Sequence, residues 1–272
     1  MSKAIRLIFS FWLFSAVSSA SWAGNWTTTK QGYGFDSKYK DNDWSHTFYN
    51  SCGFPSNEVV KWKNEKNIRF LRFKLGNRQI GTCEGDSRAR NRAPYWERAE
   101  IKSGLSYKNV HYLSKSKAYE INFKVRFVEG FLGDRETFFQ IHNYINGCST
   151  SETPPVMLKI TNGRLHMDTA YKPNSHYSVS GKGYILVSDF YNTWLTFTLR
   201  YYPSLSSKKH SRVQLLMEGK EIAKENKVWQ SSCGRPHIKF GIYRPGNKYV
   251  PNQTSIIDFD YIKIEQIKYS DF

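Results

Sequence analysis

Three short stretches hold side chains of the kind that move protons beside an anion: Arg98-Ala99-Glu100-Ile101-Lys102, Gln140-Ile141-His142 and Lys239-Phe240-Gly241-Ile242-Tyr243. Each alternates, so in an extended chain Arg98, Glu100 and Lys102 share one face, Gln140 and His142 another, and Lys239, Gly241 and Tyr243 a third. The set offers many hydrogen-bond donors, a histidine, a phenol and few acids. Such a set suits β-elimination at a uronic acid. Abstracting the C5 proton drives negative charge onto the C6 carboxylate, which Arg98, Gln140 and Lys239 would stabilise. A base must take the proton and an acid must protonate the departing O4 oxygen, roles open to His142 and Tyr243. Nearby cations make the tyrosinate accessible. The scheme requires no metal or cofactor. Glu100 is placed to hold Arg98 in one rotamer, so that its guanidinium can grip a carboxylate in a bidentate pair. Gly241 is expected to keep the floor between Lys239 and Tyr243 open for a sugar ring. Arg92, His176 and Arg244 are further substrate-binding candidates.

The elements that carry these residues read as strands. Tyr119–Val128 has the clearest alternation, and Glu136–Tyr144 carries Gln140 and His142 opposite Phe139 and Ile141. Asn162-Gly163 predicts a tight hairpin between Val156–Ile160 and Arg164–Thr169, and Met217 to Ile222 a second one. Glu58–Trp62, Ile68–Leu75, Tyr95–Lys102, Asn192–Tyr201, Arg212–Met217 and Ser255–Ile264 complete the pattern. Gly24 to Asn57 reads as an irregular leader around the domain edge. The stretches 76–94 and 172–183 read as polar loops. No amphipathic helix, repeat or low-complexity segment interrupts them. About a dozen short strands separated by turns predict an all-β sandwich, a single jelly roll with an open groove for an anionic glycan.

The chain carries 40 Lys and Arg against 23 Asp and Glu, a formal net charge of +17. That surplus favours a polyanionic partner. Residues 1–23 read as a signal peptide: Lys3 and Arg6 form a basic start, Leu7 to Val17 is apolar, and Ser21-Trp22-Ala23 supplies the cleavage site, with Ala20 as the alternative. Export to the periplasm or beyond points away from nucleic acid, and no later run is long and apolar enough to enter a membrane. Residues 24–272 are then one domain, expected to be a monomer. Cys52, Cys83, Cys148 and Cys233 predict two disulfides, and three pairings are open. Phosphate-binding glycine loops, HExxH helices, nucleophile elbows and EF-hand loops are absent.

The three stretches resemble the strand motifs of the β-jelly-roll polysaccharide lyases, among them alginate lyases with R-[ST]-E-L-R, Q-[IV]-H and Y-x-K-x-G-x-Y strands. The last stretch and the general layout are closer to the heparin lyase and glucuronan lyase branch. The resemblance spans about Trp62 to Ile264. It implies that Tyr243 donates to, and in some members also abstracts from, the substrate. It implies that His142 is base or neutraliser, that Gln140 and Arg98 bind carboxylate, and that Lys239 binds or neutralises substrate. Ala99, Ile101 and His237 depart from the alginate pattern and point away from alginate as the substrate. Two other functions fit the same architecture. A lectin-like module would bind the polymer without cutting it, and a glycoside hydrolase would depend on Glu97, Glu100 or Glu136.

Overall fold

The computed structural model describes residues 26–29, 32–35, 47–50, 59–77, 79–80, 96–104, 110–131, 133–148, 153–179, 185–204, 210–246 and 254–271. Their strands are β1 (Trp26–Thr29), β2 (Gly32–Phe35), β3 (Thr47–Asn50), β4 (Val60–Glu65), β5 (Ile68–Leu75), β6 (Trp96–Ser103), β7 (Ala118–Phe127) and β8 (Glu136–His142). There follow β9 (Val156–Thr161), β10 (Arg164–Lys172), β11 (Ser175–Ser178), β12 (Trp194–Tyr202), β13 (Ser211–Met217), β14 (Lys220–Val228), β15 (His237–Pro245) and β16 (Ser255–Ile267). Only two short 3-10 turns, Val187–Phe190 and Tyr269–Asp271, stand beside them among the described residues.

The strands form two antiparallel sheets. One has nine strands in the order β1-β2-β3-β6-β15-β8-β9-β10-β11, the other seven in the order β14-β13-β12-β7-β16-β5-β4. Neighbours in space are often remote in sequence, as a jelly-roll sandwich requires. Sequence alternation decides which side chains meet between the sheets. Ile121, Phe123 and Val125 of β7 and Leu71 and Phe73 of β5 face Ala99 and Ile101 of β6, Phe139 and Ile141 of β8, and Ile238, Phe240 and Ile242 of β15, all without exposed surface. Phe123 stacks on Phe139 with ring centroids 4.4 Å apart, and Phe73 meets Phe240 edge to face at 5.8 Å. Aromatic pairs of this kind hold the sheets in one relative position.

The hairpins follow their turn residues. Asn162 and Gly163, and Glu218 and Gly219, all have positive φ, the conformation that matches the twist of a two-residue hairpin. Two stretches expected to be irregular are strands instead. Within Gly24 to Asn57, β1 to β3 extend the nine-stranded sheet beyond β6, with Phe48 opposite Ser103 and Asn50 opposite Ile101. Within 172–183, β11 pairs with β10 through a shift in register between Ala170 and Lys172, which hides its period. Cys148, after β8, is bonded to Cys233, before β15, and ties the approaches to two strands that carry candidate residues. Cys52 and Cys83 lie outside the described residues, as do residues 1–23.

Candidate active site

β6, β15 and β8 are adjacent in the nine-stranded sheet. Register aligns their polar residues. Tyr243 lies opposite Arg98, Gly241 opposite Glu100 and Lys239 opposite Lys102. On the other edge of β15, Lys239 lies opposite Gln140 and His237 opposite His142. Since the intervening residues fill the core, Arg98, Glu100, Lys102, Gln140, His142, Lys239 and Tyr243 share the outer face of one sheet. Face and function diverge from ordinary surface behaviour here: Arg98, Glu100, Lys102, Gln140 and Lys239 each keep 9% or less of their surface exposed. The patch is recessed.

Glu100 organises one end of it. Arg98 Nη1 donates to Glu100 Oε2 at 2.8 Å, and Gln140 Nε2 donates to Oε1 at 2.6 Å, so one carboxylate fixes side chains from two other positions. The Arg98 guanidinium lies 4.1 Å from the centre of the Tyr243 ring, and Trp96 stacks on that ring at 4.8 Å. Tyr243 is thereby held between an indole and a cation. At the other end the His142 and His237 rings are 5.5 Å apart. The Tyr144 backbone N–H donates to His142 Nδ1 at 2.9 Å, so the neutral ring carries its proton on Nε2. His237 Nδ1 lies 2.9 Å from the Arg235 carbonyl and donates to it, since a carbonyl can only accept.

Burial and like charge shape the titration of the patch. Burial pushes the Lys102 ammonium down to about 8. Burial first, then Lys239, His237, Lys102 and Arg98, holds His142 well below the ordinary histidine range, and His237 is lowered in the same way by burial, Lys102 and Lys239. On β6, β8 and β15, three cations, Arg98, Lys102 and Lys239, therefore share this face with one carboxylate among the described residues, Glu100, and with both histidines neutral. A recessed surface of this charge is built to receive an anion.

Three expectations change. Gly241 does not open a floor for a sugar: its φ is +129°, and a Cβ there would lie 2.1 Å from the Ala99 carbonyl oxygen and 2.8 Å from Phe73 Cε1. The glycine is required by the backbone, within an irregular register between Phe240 and Tyr243 on the β8 side. Arg244 is not on that outer face, because alternation turns it inward to Glu97 and Glu136 at 2.6 Å each. His176 sits on β11 at the far edge of the sheet, where its Nε2 lies 2.7 Å from the Pro154 carbonyl. It does not join the cluster. Arg92 lies outside the described residues. Glu97 and Glu136, needed by a hydrolase, are both 1% exposed and committed to Arg244, and Glu100 is committed to Arg98 and Gln140.

Lys102, Trp96 and His237 join this face without being among the expected site residues. The alternation that selects Arg98 and Glu100 also selects Trp96 and Lys102, and that which selects Lys239 also selects His237.

A family model described as polysaccharide lyase matches residues 26–263, and the chain belongs to that family. It is a polysaccharide lyase. No curated protein matches the sequence. Solved structures share the fold at low identity. Alginate lyase A1-II', a member of polysaccharide lyase family 7, is 13% identical with a TM-score of 0.54 over 78% of this chain and 84% of its own. The endo-β-1,4-glucuronan lyase of the fungus Trichoderma reesei is 13% identical with a TM-score of 0.53 over 81% and 94%. An alginate lyase of Pseudomonas aeruginosa is 14% identical with a TM-score of 0.52 over 76% and 86%. The two-sheet sandwich is the fold of these enzymes.

Proposed function

We propose that this lyase cleaves a uronic-acid-containing anionic polysaccharide by β-elimination and leaves a 4,5-unsaturated uronate at each new non-reducing end. The observation that carries the reading is the convergence of Arg98, Gln140, His142, Lys239 and Tyr243 on the recessed outer face of three adjacent strands. Arg98 and Gln140, fixed by Glu100, bind the C6 carboxylate, and with Lys239 they stabilise the charge that builds there as the C5 proton leaves. Because Nδ1 of His142 is occupied by the Tyr144 N–H, its Nε2–H serves as a donor to the same developing charge. Tyr243 then moves the proton: its phenolate takes it from C5, the C4–O4 bond breaks as the C4=C5 bond forms, and the phenol returns the proton to O4.

The structural neighbours are named for alginate and for glucuronan, both polyuronates. The departures at Ala99, Ile101 and His237 point away from alginate, and the spacing of Lys239 and Tyr243 with the general layout favours the glucuronan and heparin lyase branch. We further read the chain as a signal peptide over residues 1–23 followed by one lyase domain, exported to the periplasm or beyond and monomeric. No helix among the described residues is long and apolar enough to cross a membrane.

The decisive experiment offers folded protein a panel of polyuronates and glycosaminoglycans and follows the ultraviolet absorbance of unsaturated uronate. A rise on at least one polymer is expected. Binding without a rise would make the protein a lectin-like module, and new reducing ends without a rise would make it a hydrolase; either result ends the elimination mechanism.

A further inference from the structure

Below the outer patch, the inner faces of the same strands carry a second cluster. Arg244 Nε donates to Glu97 Oε2 at 2.6 Å, and its Nη1 donates to Glu136 Oε1 at 2.6 Å and Ser255 Oγ at 2.8 Å. Its Nη2 reaches the Leu75 carbonyl at 3.4 Å, and Ser255 Oγ donates to Glu136 Oε1 at 2.5 Å. None of the three charged side chains is more than 6% exposed.

The cluster's place in the chain is informative. Glu97 precedes Arg98, Glu136 precedes Thr137, and Arg244 follows Tyr243. Arg98, Tyr243 and Thr137 are themselves partners in one cross-strand row. Ser255 and Leu75 are partners in the opposite sheet. One guanidinium thus joins β6, β8 and β15 to each other and to β5 and β16.

The ladder between β15 and β8 is irregular between Phe240 and Tyr243, where Gly241 takes its positive φ. Pairing with β6 runs unbroken from Lys239 to Pro245, so the bulge leaves open only how the start of β8 sits against β15 beside Tyr243. A buried ion cluster is a poor way to gain stability, since apolar packing does as well, but its directional bonds select one arrangement.

We propose that Arg244, with Glu97 and Glu136, is the positioning device that ties the start of β8 to β15 and β6 across the bulge and so holds the Tyr243 end of β15 in reactive geometry. The inference rests on the reading of Tyr243 as the group that moves the proton. Its signature is a loss of kcat with little change in KM, because the outer cations still bind the polymer.

The test compares Arg244→Met, Arg244→Lys and Glu97→Gln with Leu215→Ala, a core truncation in β13 of the other sheet, each assayed well below its melting midpoint. Arg244→Met should lower kcat about tenfold or more with KM within about threefold. Arg244→Lys should recover part of the loss, Glu97→Gln should fall between, and Leu215→Ala should lower the midpoint while leaving kcat unchanged. Undiminished kcat in folded Arg244→Met and Glu97→Gln, a loss confined to KM, or an equal kcat loss in Leu215→Ala overturns the proposal. Should Arg244→Met not fold, Glu97→Gln decides alone. Failure of the wild-type protein to form unsaturated uronate would instead overturn the reading on which the inference rests.

Discussion

The outer faces of the two sheets use the same residue types for opposite ends. On the seven-stranded sheet, Asp258 accepts from Arg72 at 2.7 and 2.9 Å and from Arg126 at 3.0 and 2.8 Å, while Glu65 takes the remaining Arg126 contact at 2.7 Å. Arg126 lies between the Phe70 and Trp194 rings at 4.9 and 4.7 Å. Arg200 with Glu120 and Lys263 with Glu265 continue the pattern, so each of these cations has its carboxylate. On β6, β8 and β15 of the nine-stranded sheet, Arg98, Lys102 and Lys239 share a recessed face with one carboxylate among the described residues, Glu100, both of whose oxygens are engaged. Balanced charge closes a surface on itself; surplus charge of one sign, recessed from water, leaves work for a partner to complete.

Removing the proposed proton carrier breaks the contrast most sharply. Tyr243→Phe keeps the ring between Trp96 and Arg98 but lacks the hydroxyl, so formation of unsaturated uronate should fall about a thousandfold while polymer binding persists, as measured by affinity electrophoresis beside the absorbance assay. A variant with more than a tenth of wild-type activity would remove Tyr243 from its role. Glu100→Gln comes next. It loosens both Arg98 and Gln140, bonds to a charged group worth about 1.5–3 kcal/mol, so kcat/KM should fall about ten- to a hundredfold even though the patch becomes more positive. If charge surplus alone mattered, this variant would bind and cut better than wild type.

Much of this contrast is legible in the chain. The alternation in Trp96-Glu97-Arg98-Ala99-Glu100-Ile101-Lys102 assigns each residue its face, and the same rule in β7 and β15 assembles the core. Where the reading stops, a non-local fact takes over. Arg244 occupies an inward position by parity, yet its charge suggests a surface role; what permits burial is Glu136, 108 residues away, which no local pattern announces. Gly241 is visible as a glycine, but the side on which a Cβ would collide depends on Ala99 and Phe73 of other strands. β1 to β3 lack clear alternation and become strands by adding to the edge at β6. His176 looks chemically able in sequence, and the Pro154 carbonyl occupies it in the fold.

Lys102 sharpens the comparison through pH. Its ammonium, pushed down to about 8 by burial, is charged below that value and loses its charge as pH rises through it. KM for a polyanion should therefore climb severalfold above pH 8 in the wild-type protein. Lys102→Arg, which stays charged, should flatten that rise, whereas Lys102→Met should show the high KM at every pH. An alkaline rise that survives in Lys102→Arg would assign the titration to another group.

The smallest effect on activity is expected on the balanced face. Arg126→Met retains an unbranched apolar stem between Phe70 and Trp194 and leaves Arg72 on Asp258, yet it removes two of the bonds that Asp258, wholly buried, receives. It should cost about 1–3 kcal/mol in denaturant unfolding, because an acceptor taken from water loses partners that water cannot replace. kcat and KM should stay within about twofold. A stability loss with unchanged catalysis here, set against a catalytic loss with little change in stability for Glu100→Gln, would separate charge that closes the fold from charge that awaits a ligand. Should Arg126→Met impair polymer binding as strongly as Glu100→Gln, the two faces would not differ in kind, and the anion-binding function could no longer be assigned to the nine-stranded sheet alone.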